Sequence, residues 1–173
     1  MSMLNTSFGA RLPKNKSAKF TQNPPTKIMQ LTRYTDYSLR VLVFLCSRPD
    51  GDSATAGEIA DYYGISRNHI AKVVSMLAEA DLVTTSRGRG GGLRLAVAPE
   101  DICIGELVRA TENLTLVECF DRDHNTCPLG GDCTLEVLLH QATNAFLAVL
   151  DKTTLAQLLP ASSALVSLRK HLK

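Results

Sequence analysis

Apolar side chains recur along this chain first with a helical period and then with a period of two. Leu39, Leu42, Val43 and Cys46 fall at i, i+3, i+4 and i+7, which predicts a helix from Thr35 to Cys46 with one buried face. Asp36 lies in its first turn, where a negative charge suits the helix dipole. Pro49-Asp50-Gly51-Asp52 then reads as a turn. Thr55-Ala56-Gly57-Glu58 has the hydroxyl-to-carboxylate spacing of a capping box and opens a short helix to Tyr63. Gly64 breaks that helix, and Ser66 is placed to cap the next one, which carries Ile70, Val73, Val74 and Leu77 as its stripe to about Ala80. Two short helices joined by a tight glycine-containing turn form a helix-turn-helix.

The period then changes. Val83 to Ser86 and Leu93 to Val97 read as strands flanking Arg87-Gly88-Arg89-Gly90-Gly91-Gly92. A strand, not a helix, follows the glycines, so they do not make a nucleotide-binding loop. A basic hairpin behind a helix-turn-helix is the wing of a winged helix. Ile104, Leu107, Val108 and Thr111 predict a short helix. Thr134 is placed to cap a long one to about Lys152, with Leu135, Leu138, Leu139, Ala142, Phe146, Val149 and Leu150 on one face. That length beyond a small winged helix points to a dimer interface. Thr154 to Leu159 makes a brief closing helix ended by Pro160.

The fold class is therefore mainly α, with a winged helix-turn-helix, a small β-hairpin wing, a cysteine-bearing loop and a long C-terminal dimerisation helix. The expected segments are a disordered basic leader at 1–28, the DNA-binding domain at 29–98 and a short helix with the cysteine loop at 99–133. The dimerisation and closing helices follow at 134–159, and a flexible tail at 160–173.

Charge sharpens this picture. The net charge of the 173 residues is only +2, but it is segregated. Arg67, Lys72, Arg87, Arg89 and Arg94 face only Glu79 and Asp81 within 66–94, whereas 95–151 is strongly acidic. A basic reading head beside an acidic body suits a polyanion on one face. Arg67 and Asn68 are the expected base-reading or base-framing residues, and Lys72 a phosphate contact. His69 reaches DNA or packs on its neighbours. Arg87 and Arg89 at the wing tip are placed for phosphates or a narrow minor groove.

Cys119, Cys127 and Cys133 crowd a polar loop containing Asp121, Asp123, Pro128, Gly130, Gly131 and Asp132. Thiols so placed are rarely packing residues, and as ligands soft thiolates favour zinc, cuprous copper or iron–sulfur clusters. Asp121, Asp123 or His124 could complete a zinc site. Cys46 and Cys103 lie in apolar surroundings and read as core. The odd cysteine count and the lack of a secretory signal or membrane-spanning run point to a reducing, cytoplasmic setting. Cys127-Pro128 has a ferredoxin-like look, but an electron carrier needs no helix-turn-helix. No metalloprotease or deaminase motif is present, and the chain reads as a non-enzyme.

Met29-Gln30-Leu31-Thr32, Thr35-Asp36-Tyr37-Ser38-Leu39-Arg40, Tyr63-Gly64-Ile65-Ser66-Arg67-Asn68-His69, Arg87-Gly88-Arg89-Gly90-Gly91-Gly92-Leu93 and the cysteine triplet occur in order. In this combination the chain resembles the Rrf-type winged-helix repressors that carry an iron–sulfur cluster, and within them the nitric-oxide-sensing branch. The resemblance covers about residues 29–159. It implies a homodimer that binds inverted-repeat double-stranded DNA and is released when nitric oxide attacks a 2Fe–2S or 4Fe–4S cluster. It further implies Cys119, Cys127 and Cys133 as cluster ligands, with Asp36 from the partner subunit as the fourth. A branch sensing cluster supply has a His where this chain has Glu136, and an iron-sensing branch commonly has Asn at the position of Asp36. Those two branches are the alternatives within the resemblance.

Overall fold

The computed structural model describes residues 30–49, 52–88, 91–129 and 133–159. The expected leader 1–28, the tail 160–173 and Arg89 lie outside them. Helix α1 (Arg33–Cys46) starts two residues before the predicted Thr35. Thr32 is its N-cap, and the Thr32 hydroxyl accepts from Thr35 N at 3.3 Å. The capping box of α2 (Ala56–Tyr63) is fully formed: Glu58 N donates to Thr55 Oγ1 at 3.1 Å and Thr55 N to Glu58 Oε2 at 2.6 Å. Gly64 ends α2 with φ 64°, a left-handed turn that glycine adopts without steric cost. Ser66 occupies the N-cap position of α3 (Arg67–Glu79), but its side chain makes no capping hydrogen bond.

The wing is one antiparallel pair, β1 (Val83–Ser86) and β2 (Gly92–Leu95), with Val83 opposite Leu95 and Ser86 opposite Gly92. Thus β2 begins one residue before the predicted Leu93 and ends before Val97. Ala54 and Leu93 exchange backbone hydrogen bonds at 3.0 and 2.7 Å, which stitches the wing to the start of the helix-turn-helix. Helix α4 (Ile104–Thr111) follows, then the cysteine loop, then α5 (Thr134–Leu150). Beyond α5 the chain doubles back: Ile104 N donates to Thr153 O and Leu155 N to Ile102 O. The predicted closing helix is only a 3-10 turn, Leu155–Leu158.

All these elements feed one core. Val41, Leu42 and Phe44 of α1 pack with Ile59 of α2 and Ile70, Val73 and Leu77 of α3. Leu107 and Val108 of α4 join them, and Leu155 seals the same cluster. Phe44 meets Tyr62 edge to face at 5.3 Å.

Three expectations are corrected. Cys133, not Thr134, stands at the N-cap of α5, and the helix stops at Leu150 rather than Lys152. The predicted single face of α5 is split: Leu147 is its buried residue, Leu139, Phe146 and Leu150 are half-buried, and Leu135, Leu138 and Val149 are exposed. The reason is that apolar residues surround much of this helix, so periodicity alone does not say which of them its own domain covers. Cys46 and Cys103 are half-buried at the edge of the core, not within it.

Candidate metal centre and nucleic-acid interface

The cysteine loop is held by its own polar side chains. A 3-10 turn, Glu118–Phe120, carries Cys119. The Glu118 carboxylate accepts from Thr126 N at 2.7 Å and from Thr126 Oγ1 at 2.6 Å. These two bonds hold Glu118 below the ordinary carboxylate range. Glu118 precedes Cys119 and Thr126 precedes Cys127, so the pair lashes the two thiol-bearing positions together. Asn125 Oδ1 accepts from Cys127 N at 2.9 Å and turns the loop again. Phe120 then lies flat on the His140 ring of α5, with centroids 3.7 Å apart and planes 4° from parallel. That stack docks the Cys119 side of the loop onto the helix that starts at Cys133.

Cys119 and Cys133 line a common cavity of about 350 Å³ with Arg122, Asn125, Glu136 and His140. Desolvation, followed by the Glu136 carboxylate, pushes the Cys119 thiol above its ordinary value, and Cys133 and Cys127 act in the same direction. Cysteine ligates metal as the thiolate, so a bound cation would offset this cost at Cys119. Cys133 also sits at the N-terminus of α5. Asp121 and His124 bond to each other at 2.8 Å and do not line this cavity. Among the described residues no three Cys, His, Asp or Glu side chains stand ready around a single ion. Cys119 and Cys133 border a space rather than a point, which suits a group several atoms across, and Cys127 is not among the residues that line it.

Asp36 is elsewhere in the protomer, on the first turn of α1. Arg40 binds it through Nε at 3.0 Å and Nη2 at 2.9 Å. Arg40 in turn lies 5.6 Å from the Tyr63 ring centroid. Burial, helped by Tyr62 and Asp36 and opposed by Arg40, pushes the Tyr63 hydroxyl up to about 12, so the ring stays neutral beneath the guanidinium. Next to Asp36, Tyr37 meets His69 of α3 with ring centroids 5.9 Å apart. The aspartate turn is thus in contact with the helix predicted to read DNA.

That helix presents Arg67, Asn68, His69 and Lys72 to solvent. Arg67 is paired with Asp61 of α2 at 3.0 Å. Arg87 is exposed beside Gly88, whose φ of 97° turns the wing tip. Several contacts were invisible to sequence reasoning: the Glu118–Thr126 lashing, the Phe120–His140 stack and the Arg40 clamp on Asp36. Only the last had a local signal, an i, i+4 spacing of opposite charges.

A helix-turn-helix with a basic hairpin wing and a free recognition face defines a winged-helix DNA-binding protein. The family model described as Rrf2, iron-dependent transcriptional regulator, matches residues 31–161. The chain belongs to the Rrf2 family; it is a transcriptional regulator and not an enzyme. It is 48% identical over 143 residues to the HTH-type transcriptional regulator NsrR of Bacillus subtilis, covering 82% of this chain and 98% of that one. It is 50% identical over 131 residues to the NsrR of Shouchella clausii, covering 75% and 88%. Among solved structures it resembles CymR, the global cysteine regulator of B. subtilis, with a TM-score of 0.63, 25% identity, and coverage of 76% of this chain and 96% of that chain. IscR of T. potens shares the fold at a TM-score of 0.61 and 22% identity, over 75% of this chain and 85% of that one. No helix of the described residues is long and apolar enough to cross a membrane.

Proposed function

We propose that the chain is a homodimeric, nitric-oxide-sensitive repressor whose iron–sulfur cluster is held by Cys119, Cys127 and Cys133 of one protomer and Asp36 of the other. High identity to two NsrR regulators supports the assignment. Held by these residues, the cluster would supply iron able to react with nitric oxide. Everything else follows from the chain's own residues. Asp36 bridges to the partner and fixes the first turn of α1. Tyr37 passes that position to His69, at 5.9 Å. Arg67, Asn68 and Lys72 are carried with α3, and Arg87 and Arg89 with the wing, onto an inverted-repeat operator with half-sites a whole number of helical turns apart. The exposed Leu135, Val137, Leu138 and Val149 of α5 supply the apolar contact between protomers. Once Asp36 is released, the two reading heads lose their mutual spacing. A ten-fold change in DNA affinity needs about 1.4 kcal/mol of such coupling, within reach of one lost carboxylate link.

The observation that carries this reading is the Tyr37–His69 contact, which places the aspartate turn against the recognition helix. The test is purification without oxygen followed by nitric oxide titration on operator DNA. The expected protein is coloured, with broad visible absorption, and leaves the operator as the colour changes. A colourless zinc protein, or operator binding indifferent to nitric oxide, overturns the proposal. Release on iron limitation without a nitric oxide response would assign the same site to iron sensing.

A further inference from the structure

Helix α1 does not complete its own N-terminus. In a self-contained capping box the third helical residue is an acid that accepts from the N-cap amide. Here that residue is Thr35, and the acid comes from far away: Glu112, the residue that ends α4. Glu112 Oε1 accepts from Thr32 N at 2.7 Å and from the Thr35 hydroxyl. Thr35 is fully buried, and its Oγ1 also lies 2.8 Å from Thr111 Oγ1. The Thr111 hydroxyl is itself tied to Leu107 O at 2.8 Å. A charged acceptor at a helix N-terminus, bonded to the free N-cap amide, is a strong anchor. It fixes the turn that carries Asp36.

Glu112 is also the last helical boundary before the cysteine loop. From it the chain runs through an Asx turn, Thr115 N to Asn113 Oδ1 at 2.9 Å, to the 3-10 turn that holds Cys119. One carboxylate therefore joins two ends of the candidate centre: the loop that carries a protomer's own thiols, and the aspartate it lends to its partner.

We infer that Glu112 is a positioning residue that couples the two clusters of the dimer, so that both are lost together. The inference rests on the reading of Asp36 as the partner-supplied ligand. When Cys119 of one protomer is released, the segment 113–118 is freed and Glu112 loses its restraint. The Thr32–Thr35 turn then loosens, and Asp36 gives up its hold in the partner.

The test compares the full-length wild type with Glu112→Ala, Glu112→Gln and Asp36→Ala. Iron is withdrawn slowly by a chelator while native mass spectrometry counts clusters per dimer. Wild-type dimers are expected to pass from two clusters to none with few singly loaded species; Glu112→Ala dimers should pass through a statistical population of singly loaded ones. In cluster-free protein, hydrogen exchange at the Thr35 and Asp36 amides should be about five-fold faster in Glu112→Ala, the effect of losing one cap interaction, and unchanged in α3. A statistical wild type, or exchange that does not respond to Glu112→Ala, overturns the inference. If Glu112→Ala does not fold, Glu112→Gln, which keeps the size and one acceptor oxygen, carries the comparison; it should show a smaller shift in the same direction, and no shift overturns the inference. Asp36→Ala separates the two ideas. If it does not hasten cluster loss, the ligand reading fails and the coupling with it. If it does, while Glu112→Ala behaves as wild type, only the coupling fails.

Discussion

Arg67, the first residue of the recognition helix, is held by Asp61 of the preceding helix, with Nη2 3.0 Å from Oδ2. Both side chains are about two-thirds exposed or more, at 71% and 67%, so the pair is cheap to break. As a DNA contact, Arg67 would have to exchange this carboxylate for phosphate or a base edge. Asp61→Asn should therefore raise operator affinity roughly three-fold, by removing both the competitor and a negative charge near DNA, an exposed pair being worth about 0.2–1 kcal/mol. Arg67→Ala should lower it by about 1–3 kcal/mol if Arg67 reads a base. Fluorescence anisotropy with labelled operator checks both.

Lys72 stands one turn further along the same exposed face. As a phosphate contact it should act without regard to sequence. Lys72→Ala is expected to weaken operator and random DNA alike and to reduce the slope of log affinity against log salt by about 1. A loss confined to the operator would make Lys72 a base reader instead.

Asp36 is partly exposed and bonds only one turn away, to Arg40. Asp36→Ala should then change the stability of the cluster-free protein by no more than about 0.5 kcal/mol, typical of an i, i+4 pair. It should still abolish the nitric oxide response. Footprinting across a nitric oxide titration is the decisive measurement, and an unchanged response would remove Asp36 from the mechanism.

Gly105 is buried in α4 where the end of α5 crosses it. A Cβ at this position would clash with Asp151 Oδ1 and lie 2.9 Å from the Asp151 backbone nitrogen. The Asp151 carboxylate is also bound by Arg109, with Nη2 2.7 Å from Oδ2. Gly105→Ala must therefore displace both the salt bridge and the α5 terminus. A cost of about 1–3 kcal/mol, usual for overpacking, should appear as a lower melting temperature.

Glu58 gives a pH-dependent test. The Thr55 amide chiefly, with the Thr55 hydroxyl and Arg48, holds its carboxyl below the usual value despite partial desolvation. A carboxylate lowered on folding contributes stability above its unfolded value of about 4.3, and that contribution is lost as pH falls through the folded value. Glu58→Gln should accordingly destabilise the protein at pH 7 by about 0.5–1 kcal/mol, as a capping contact does. The difference from wild type should shrink below about pH 4, as urea melts at both pH values would show.

Elements fixed by neighbours in the chain were legible in the sequence. The Thr55–Glu58 box, the Gly64 break and the alternating wing strands all involve residues a few positions apart, so their chemistry is visible in order of sequence. The crowding of Cys119, Cys127 and Cys133 on one polar loop was legible for the same reason. What escaped were pairs brought together by the fold. Thr32 and Glu112 are 80 positions apart, and without knowing that pair the start of α1 was placed too late. Helix α5 was legible as a long apolar helix, but which residues its own domain covers was not, because Leu147 and Leu135 look alike in sequence and differ only in what lies opposite them.

The borrowed cap also orders events during folding. Local structure forms before distant contacts repay their loop closure, so α1 can propagate from its middle while its first turn waits for α4. A nascent chain that has made the reading head but not residue 112 lacks this anchor. The beginning of α1 is thus expected to become fixed late in folding, by a residue at the threshold of the cysteine loop.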